Sequence, residues 1–534
     1  MNKEKNSIPP NKSSLQNRLA INKLAQKLWS ARMLVGLMVL GVVLRVWGIS
    51  YGLPYLYHAD EPLVQNSLVM VKTNDLNPHF FGYGSLFFYI NAIAYWGYFL
   101  LGRIIGLFSS VADIPNLEVF GLGIGRSLMP SQIIAGRLVS VIIGTMCIPI
   151  SYWLGVKLSG RRVGVLSALF VTLSAPLVDH SQYITPNILA TFTILLTLAL
   201  LVHSTSLRPY LASLFIGVAL GCAVASKYNA AFLILPLGAT FFLQYGWRMI
   251  KRPTLYASLA VAVLTFLVVT PYAILDFSNF WTDTIFHLQY YRVNSHPGME
   301  GNTVNYYLSF LVRQTGLLVF LSIFPLIGYI RNRNRTGLIL ASFALPYIAY
   351  IATVDIRNDR TILLVLPILL IMAADALDLT RQRILKSHSL RTRQLALALL
   401  TTFIFLSTTY LVYRTAESNI RKTAVDAREL ARQWIETNVP AGTSVAMEAY
   451  SPFLSPSKYS LDYFPTLINN SPDWYRQERY DLLVFSSDQY ARFYTDPDRY
   501  TEQVSMYDAL WESFPEVKQF ELAGTTIRIY QVND

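Results

Sequence analysis

Twelve long apolar runs occupy the first 414 residues of this chain, and no feature restricts its fold more. They lie near 32–50, 85–107, 134–156, 162–178, 186–203, 210–226, 229–246, 254–275, 304–330, 337–353, 361–378 and 395–413. A hydrocarbon core about 30 Å thick takes about 20 helical residues to cross, and most of these runs reach that length. Only 14% of the 534 residues are charged, against about 25% in an ordinary soluble protein. The chain therefore reads as a mainly helical, multi-pass membrane protein rather than a series of soluble domains.

Charge supplies the threading. Residues 415–534 carry 11 Lys and Arg against 18 Asp and Glu, so the overall +12 divides into a +19 body and a −7 tail. The basic residues form short clusters between apolar runs, with no stripe beside stacking aromatics. They mark inner membrane loops and argue against nucleic acid. With Lys3, Lys5, Lys12, Arg18, Lys23, Lys27 and Arg32, the segment 1–31 is expected to be cytoplasmic and uncleaved. If all twelve runs crossed, the clusters at Lys157/Arg161/Arg162, Arg248/Lys251/Arg252 and Arg381–Arg393 would fall outside. Laying the aromatic run 85–107 along the outer surface brings them all inside and leaves about eleven spans. It also turns 11 of the 14 acidic residues of the body outward. The expected organisation is a transmembrane unit over 32–414, with a large first outer loop over 50–133, then a small extracytoplasmic α/β domain over 415–534. A helical stretch, AVDARELARQWIETNV, and the apolar runs TSVAME, DLLVFSS and TIRIYQV predict that last domain. Two isolated cysteines, Cys147 and Cys222, offer neither a disulfide framework nor a CxxC metal site.

Residues able to do chemistry gather on the outer side. The first outer loop contains YLYHADEP, with His58, Asp60 and Glu61 together about ten residues beyond the first span. Ionisable groups at a membrane surface must be hydrated, paired or bound, which makes them candidates for function. Arg45 lies inside the first apolar run, near the same loop. Asp179 and Asn187 belong to a second outer cluster, DHSQYITPN; Arg292 and His296 to a third; Arg360 to VDIRNDR at the mouth of a span; Lys227 to the start of another. Carboxylates, histidines and cations converging on one membrane face suit an anionic, lipid-linked substrate.

These motifs resemble the GT-C superfamily of membrane glycosyltransferases, of the protein-mannosyltransferase and aminoarabinose-transferase type. The resemblance rests on the Arg-containing first span followed by YGLPYLYHADEP, on NDLNPHFFGYGSLFFY, the loop ending TPN, ASKYNAAFLILPL, TPYAILD with HPGME beyond it, and the run after Arg360. It implies transfer of a sugar from a polyprenyl-phosphate donor, with inversion, to a protein, lipid or glycan acceptor at the outer face of a plasma (inner) membrane. Asp60 would be the general base and Glu61 would orient acceptor or base. Arg360, Lys227 and Arg292 would hold the donor phosphate, with Arg45, His58, Asp179, Asn187 and His296 in acceptor or supporting roles. A divalent metal is left open, since no HxxxH-type spacing occurs, and no other cofactor is implied. Two positions depart from the family pattern: Asn187 stands where an Asp is common, and Thr361 where a Tyr often follows the arginine. A transporter or flippase of lipid-linked sugars is the alternative, although internal repeats are not evident.

Overall fold

The computed structural model describes residues 12–290, 296 and 298–532, with the side chains of the first helix described from Trp29 onward. Its helices begin where the sequence places prolines. α1 (Lys12–Trp47) enters the membrane unit, and α2 (Leu86–Ile104) lies within the loop segment 50–133. Then α3 (Pro130–Ser159), α5 (Pro186–His203), α6 (Pro209–Ser226) and α8 (Pro253–Val269) all start on proline. Proline suits a first helical position because its φ is preset and its missing N–H would have no partner there. α4 (Arg161–Thr172) and α7 (Ile234–Tyr245) lie between these. Beyond them come α9 (Thr303–Thr315), α10 (Arg335–Ile351), α11 (Leu366–Leu385) and α12 (Leu390–Thr423).

Among the described residues, six helices are long and apolar enough to cross a membrane, or seven if a bent pair counts as one span. This differs from the eleven spans expected, and local breaks explain much of the difference. The apolar run 304–330 is split at Gly316, whose positive φ of 61° ends α9, and the two halves meet at 107°. The helices Pro253–Val269 and Arg335–Ile351 are apolar but shorter. α2, expected to lie along the surface, is not among the six. α11 is buried on every side from Leu366 to Asp378 and forms the axis of the main core, which is why its sequence lacks an amphipathic period. α12 runs on past residue 414 to Thr423, so the polar tail begins as a continuation of the last membrane helix.

The C-terminal unit is built on a five-stranded mixed sheet. A hairpin of the first outer loop supplies β1 (Leu117–Gly121) and β2 (Ile124–Ser127). The sheet itself comprises β3 (Ser444–Glu448), β4 (Ser460–Phe464), β5 (Leu482–Ser486), β6 (Glu516–Leu522) and β7 (Thr525–Gln531), in the order β4-β3-β5-β7-β6. β3 runs parallel to β4 and β5, and β7 antiparallel to β5 and β6. α13 (Ala427–Asn438) covers one face through Ala427, Ala431 and Ile435, and α14 (Thr501–Ser513) covers the other through Tyr507 and Leu510. Three of the seven strands, β3, β5 and β7, are the ones the apolar runs predicted. Of the edge strands, β6 is largely exposed and β4 is half-buried, and neither carries a long apolar run.

The unit docks on the first outer loop. Tyr450 N donates to Leu122 O at 2.9 Å, and the Arg428 guanidinium lies 4.1 Å from the Tyr57 ring centre while donating to Tyr51 Oη at 2.9 Å. Within the sheet, Glu448 is fully buried, accepting from Ser486 N at 2.8 Å and Tyr507 Oη at 3.0 Å. Burial pushes its carboxyl up to about 8, the hydrogen bonds opposing only part of that rise. The folded unit thus keeps a proton that the unfolded chain releases near pH 4.5. Its contribution to stability is complete below that pH and declines by about 1.4 kcal/mol per unit as pH rises toward 8. Glu448→Gln is expected to abolish this decline, seen as a flatter dependence of the unit's thermal unfolding on pH between about 5 and 9.

Candidate active site at the outer end of the helices

His58, Asp60 and Glu61 sit on a short turn after α1, in which a 3-10 helix spans Glu61–Val64 with Pro62 near its start. Glu61 is completely buried, and Arg137, from the first turns of α3, grips it at both oxygens: Nε to Oε1 at 2.8 Å and Nη2 to Oε2 at 2.6 Å. Ile184 N donates to the same Oε1 at 3.1 Å. Arg137 also reaches back to the carbonyls of Ile49 and Tyr51 at 2.7 and 2.8 Å. The loop carrying Asp60 is therefore fixed to α3 and to the segment before α5 by one buried pair.

Asp60 itself is not spent in this pair. Its carboxylate meets the Arg360 guanidinium, 300 residues away in sequence, and both side chains keep partial exposure, 14% and 25%. Its backbone N–H donates to His58 Nδ1 at 3.2 Å, and the His58 ring packs 4.3 Å from that of Tyr183. Burial raises the Asp60 carboxyl, but Arg360 first and then His58 and Lys227 outweigh it, leaving the group below the ordinary carboxylate range. Asp60 is ionised at neutral pH. Burial lowers His58, so that its imidazole favours the neutral form.

Arg360 is positioned by the short helix Asp359–Ile362. Asn358 caps it, accepting from Thr361 N at 3.1 Å, and Tyr347 Oη of α10 donates to Thr361 O at 2.9 Å. His180 stands 3.9 Å from Asp359. Lys227, between α6 and the following helical segment, donates to Asn187 Oδ1 at 2.8 Å. Lys227 and Arg360 line one cavity of about 100 Å³ with Tyr228, Asn229, Asn358 and His287, while Tyr350, Ile351, Val354 and Ile356 give it an apolar side. The GYG of the first outer loop fits against this cavity because its glycines lack side chains. A Cβ on Gly84 would stand 1.9 Å from Ala225 O, and one on Gly82 would stand 2.0 Å from the His287 ring. Tyr228 Oη ties the segment down by donating to Phe81 O at 2.9 Å.

The candidates thus separate. Asp60, Arg360, His58, Lys227 and Asn187 form one linked group. His296 adjoins it, half-buried and subject to the charges of Arg360, Arg492 and Glu300. Arg45 does not reach the loop: it is buried, donating to Ser181 Oγ at 3.2 Å and Gly41 O at 3.1 Å, and it braces α1 from within. Asp179 is likewise turned away, accepting from Ser418 Oγ at 2.6 Å and Lys422 Nζ at 3.1 Å on α12. It lines a separate polar cavity of about 350 Å³ beside Tyr51, Tyr183 and Lys422. Glu61, expected to orient acceptor or base, is occupied by Arg137 and acts on the geometry of the loop. Arg292 lies outside the described residues. Among the described residues, no three His, Cys, Asp or Glu side chains gather as metal ligands would.

Arg137 was missed, although the signal used for Arg45, a guanidinium inside an apolar run, applies equally to it. His180, Tyr183 and Asp359 had no signal beyond lying in outer loops.

A family model for dolichyl-phosphate-mannose-protein mannosyltransferases matches residues 122–284. No curated protein matches the sequence. Among solved structures, ArnT from Cupriavidus metallidurans in the apo state is similar over 95% of this chain and 98% of its own, with 16% identity and a TM-score of 0.53. The Archaeoglobus fulgidus oligosaccharyltransferase in the apo form gives 12% identity and a TM-score of 0.55, over 91% of this chain and 73% of that one. AglB from the same organism, in complex with an inhibitory peptide and a dolichol-phosphate, gives 12% and 0.53, over 94% and 74%. The chain is thus similar over residues 122–284 to the mannosyltransferase family model, and over nearly its whole length it shares its fold with these solved transferase structures.

Proposed function

We propose that the chain is an integral-membrane glycosyltransferase that moves a sugar from a polyprenyl-phosphate donor to an acceptor at the outer face of the membrane. The observation that carries this reading is the pairing of Asp60 with Arg360 beside Lys227. It joins an ionised carboxylate, able to take a proton, to two cations able to hold a phosphate. Support for the donor class comes from the mannosyltransferase family model and from the dolichol-phosphate present in the AglB complex.

The chemistry follows from these charges. The acceptor's hydroxyl or amine attacks the anomeric carbon, and its proton passes to an oxygen of Asp60. The bond from that carbon to the phosphate oxygen breaks, and the leaving lipid phosphate keeps the electron pair. Attack opposite the leaving group inverts the carbon. Charge builds on the phosphate as the bond lengthens, so fixed cations stabilise the transition state more than the ground state. Before substrate arrives, Arg360 neutralises Asp60. A donor phosphate would compete for the guanidinium and leave the carboxylate free to act as base. The apolar side of the Lys227 cavity suits the first isoprene units, and Asn187 keeps the Lys227 ammonium directed. Glu61 is a positioning residue, holding the Asp60 loop through Arg137.

Two results are expected. Asp60→Asn should lower transfer by about 10²–10⁴-fold with unchanged insertion and thermal unfolding. The assay uses purified protein in liposomes with mannosyl- and aminoarabinosyl-phosphate polyprenols and scores transfer and donor hydrolysis. Undiminished turnover by Asp60→Asn would refute the base, and movement of intact donor across the bilayer without cleavage would favour a flippase. Arg137→Gln should destabilise the protein by about 3–5 kcal/mol, because it strands a buried carboxylate. Adding Glu61→Gln should recover much of that loss, read from thermal unfolding in detergent.

A further inference from the structure

A further cavity lies at the end of the helices opposite Asp60. It measures about 810 Å³ and is lined by Trp29, Ser30, Ser159, Arg161, Arg162, Asp378, Arg381 and Gln382. Two helices fix its depth. Trp29 is the first residue of the candidate span ending at Trp47, and Ser159 is the last residue of the candidate span Pro130–Ser159, which carries Arg137 near its other end. Nineteen helical residues separate the cavity from the start of the Asp60 loop, about 28 Å. The cavity therefore opens where the far membrane boundary falls, with Trp29 58% exposed at its rim and the exposed apolar residues Met33 and Val35 just inside. An interfacial tryptophan above lipid-facing aliphatic residues marks the depth of lipid headgroups.

Among the described residues its lining is mainly basic. Arg161, Arg162 and Arg381 face it against one lining acid, Asp378, whose carboxylate already accepts from Gln382 at 2.7 Å and lies 3.7 Å from Arg381. The other acid nearby, Asp375, is buried in the helix core and taken by Tyr329 Oη at 2.8 Å. Arg161 and Arg162 form the first turn of α4, which has no side-chain cap, so its positive helix end adds to theirs. Net positive charge, an apolar flank at acyl-chain depth and a volume suited to a headgroup all describe one ligand. We propose that this cavity binds the phosphate of an anionic phospholipid of the leaflet opposite the Asp60 site, holding α1, α3, α4 and α11 together around it.

The test is lipid retention by the full chain. Purified protein is equilibrated in phosphatidylcholine nanodiscs containing phosphatidylglycerol or cardiolipin, and bound lipid is counted by native mass spectrometry after ejection from the disc. Phosphatidylglycerol or cardiolipin should be retained over phosphatidylcholine by at least about five-fold. The variant Arg161→Gln/Arg162→Gln/Arg381→Gln should lose the preference, while Arg248→Gln/Lys251→Gln/Arg391→Gln, which removes equal charge elsewhere, should keep it. If the triple variant cannot be purified, Arg162→Gln alone, at an exposed position, should reduce the preference. No preference in the unmodified protein, or equal loss in the control variant, would overturn the proposal. So would equal thermal protection by inorganic phosphate, or displacement of the phospholipid by a polyprenyl phosphate, each of which assigns the cavity to another phosphate.

Discussion

A carboxylate held away from water must be matched by a cation and hydrogen bonds, and Glu61 has all of them: two from Arg137 and one from Ile184 N. The loop that carries Asp60 is arranged around that pair. It draws the loop after α1 down onto α3, closes the backbone at Ile49 and Tyr51 through the same guanidinium, and pins the segment leading into α5. Asp60, the preceding residue, is thereby left partly exposed beside Arg360 while its neighbour is consumed by structure. Adjacent carboxylates in similar surroundings have different fates because one finds a buried bidentate partner and the other a partly exposed arginine.

The second constraint is that the cations facing Asp60 come from distant parts of the chain. Lys227 ends α6, and Arg360 rides on a short capped helix. Neither could be held by local structure alone. Tyr347 fixes the Arg360 segment, Asn187 fixes Lys227, and glycines 82 and 84 allow the first outer loop to lie against the cavity they share. The C-terminal unit completes this face from outside. Arg428 packs on Tyr57, one residue from His58, and Tyr500 donates to Glu300, whose backbone carbonyl receives Arg357.

Much of the candidate site was legible because it depends on residue type. Ionisable residues in an apolar chain are few, so Asp60, Arg360, Lys227 and His58 stood out and do assemble. Arg45 and Asp179 stood out for the same reason and do not join them. Their partners, Ser181 and Gly41 for one and Ser418 and Lys422 for the other, are structural, and a one-dimensional signal cannot separate a buried brace from a reactive group. Apolar runs also outnumber the six or seven long apolar helices among the described residues, since Gly316 breaks one run and burial inside protein selects for the same residues as burial in lipid.

By itself, then, the sequence determined the membrane class and the split between a basic helical body and an acidic tail, because hydropathy and charge act locally along a chain. Which carboxylate is locked in a fully buried pair and which meets a partly exposed arginine was decided only by the tertiary structure. Ion pairs spanning 76 and 300 residues exist only once the helices have packed.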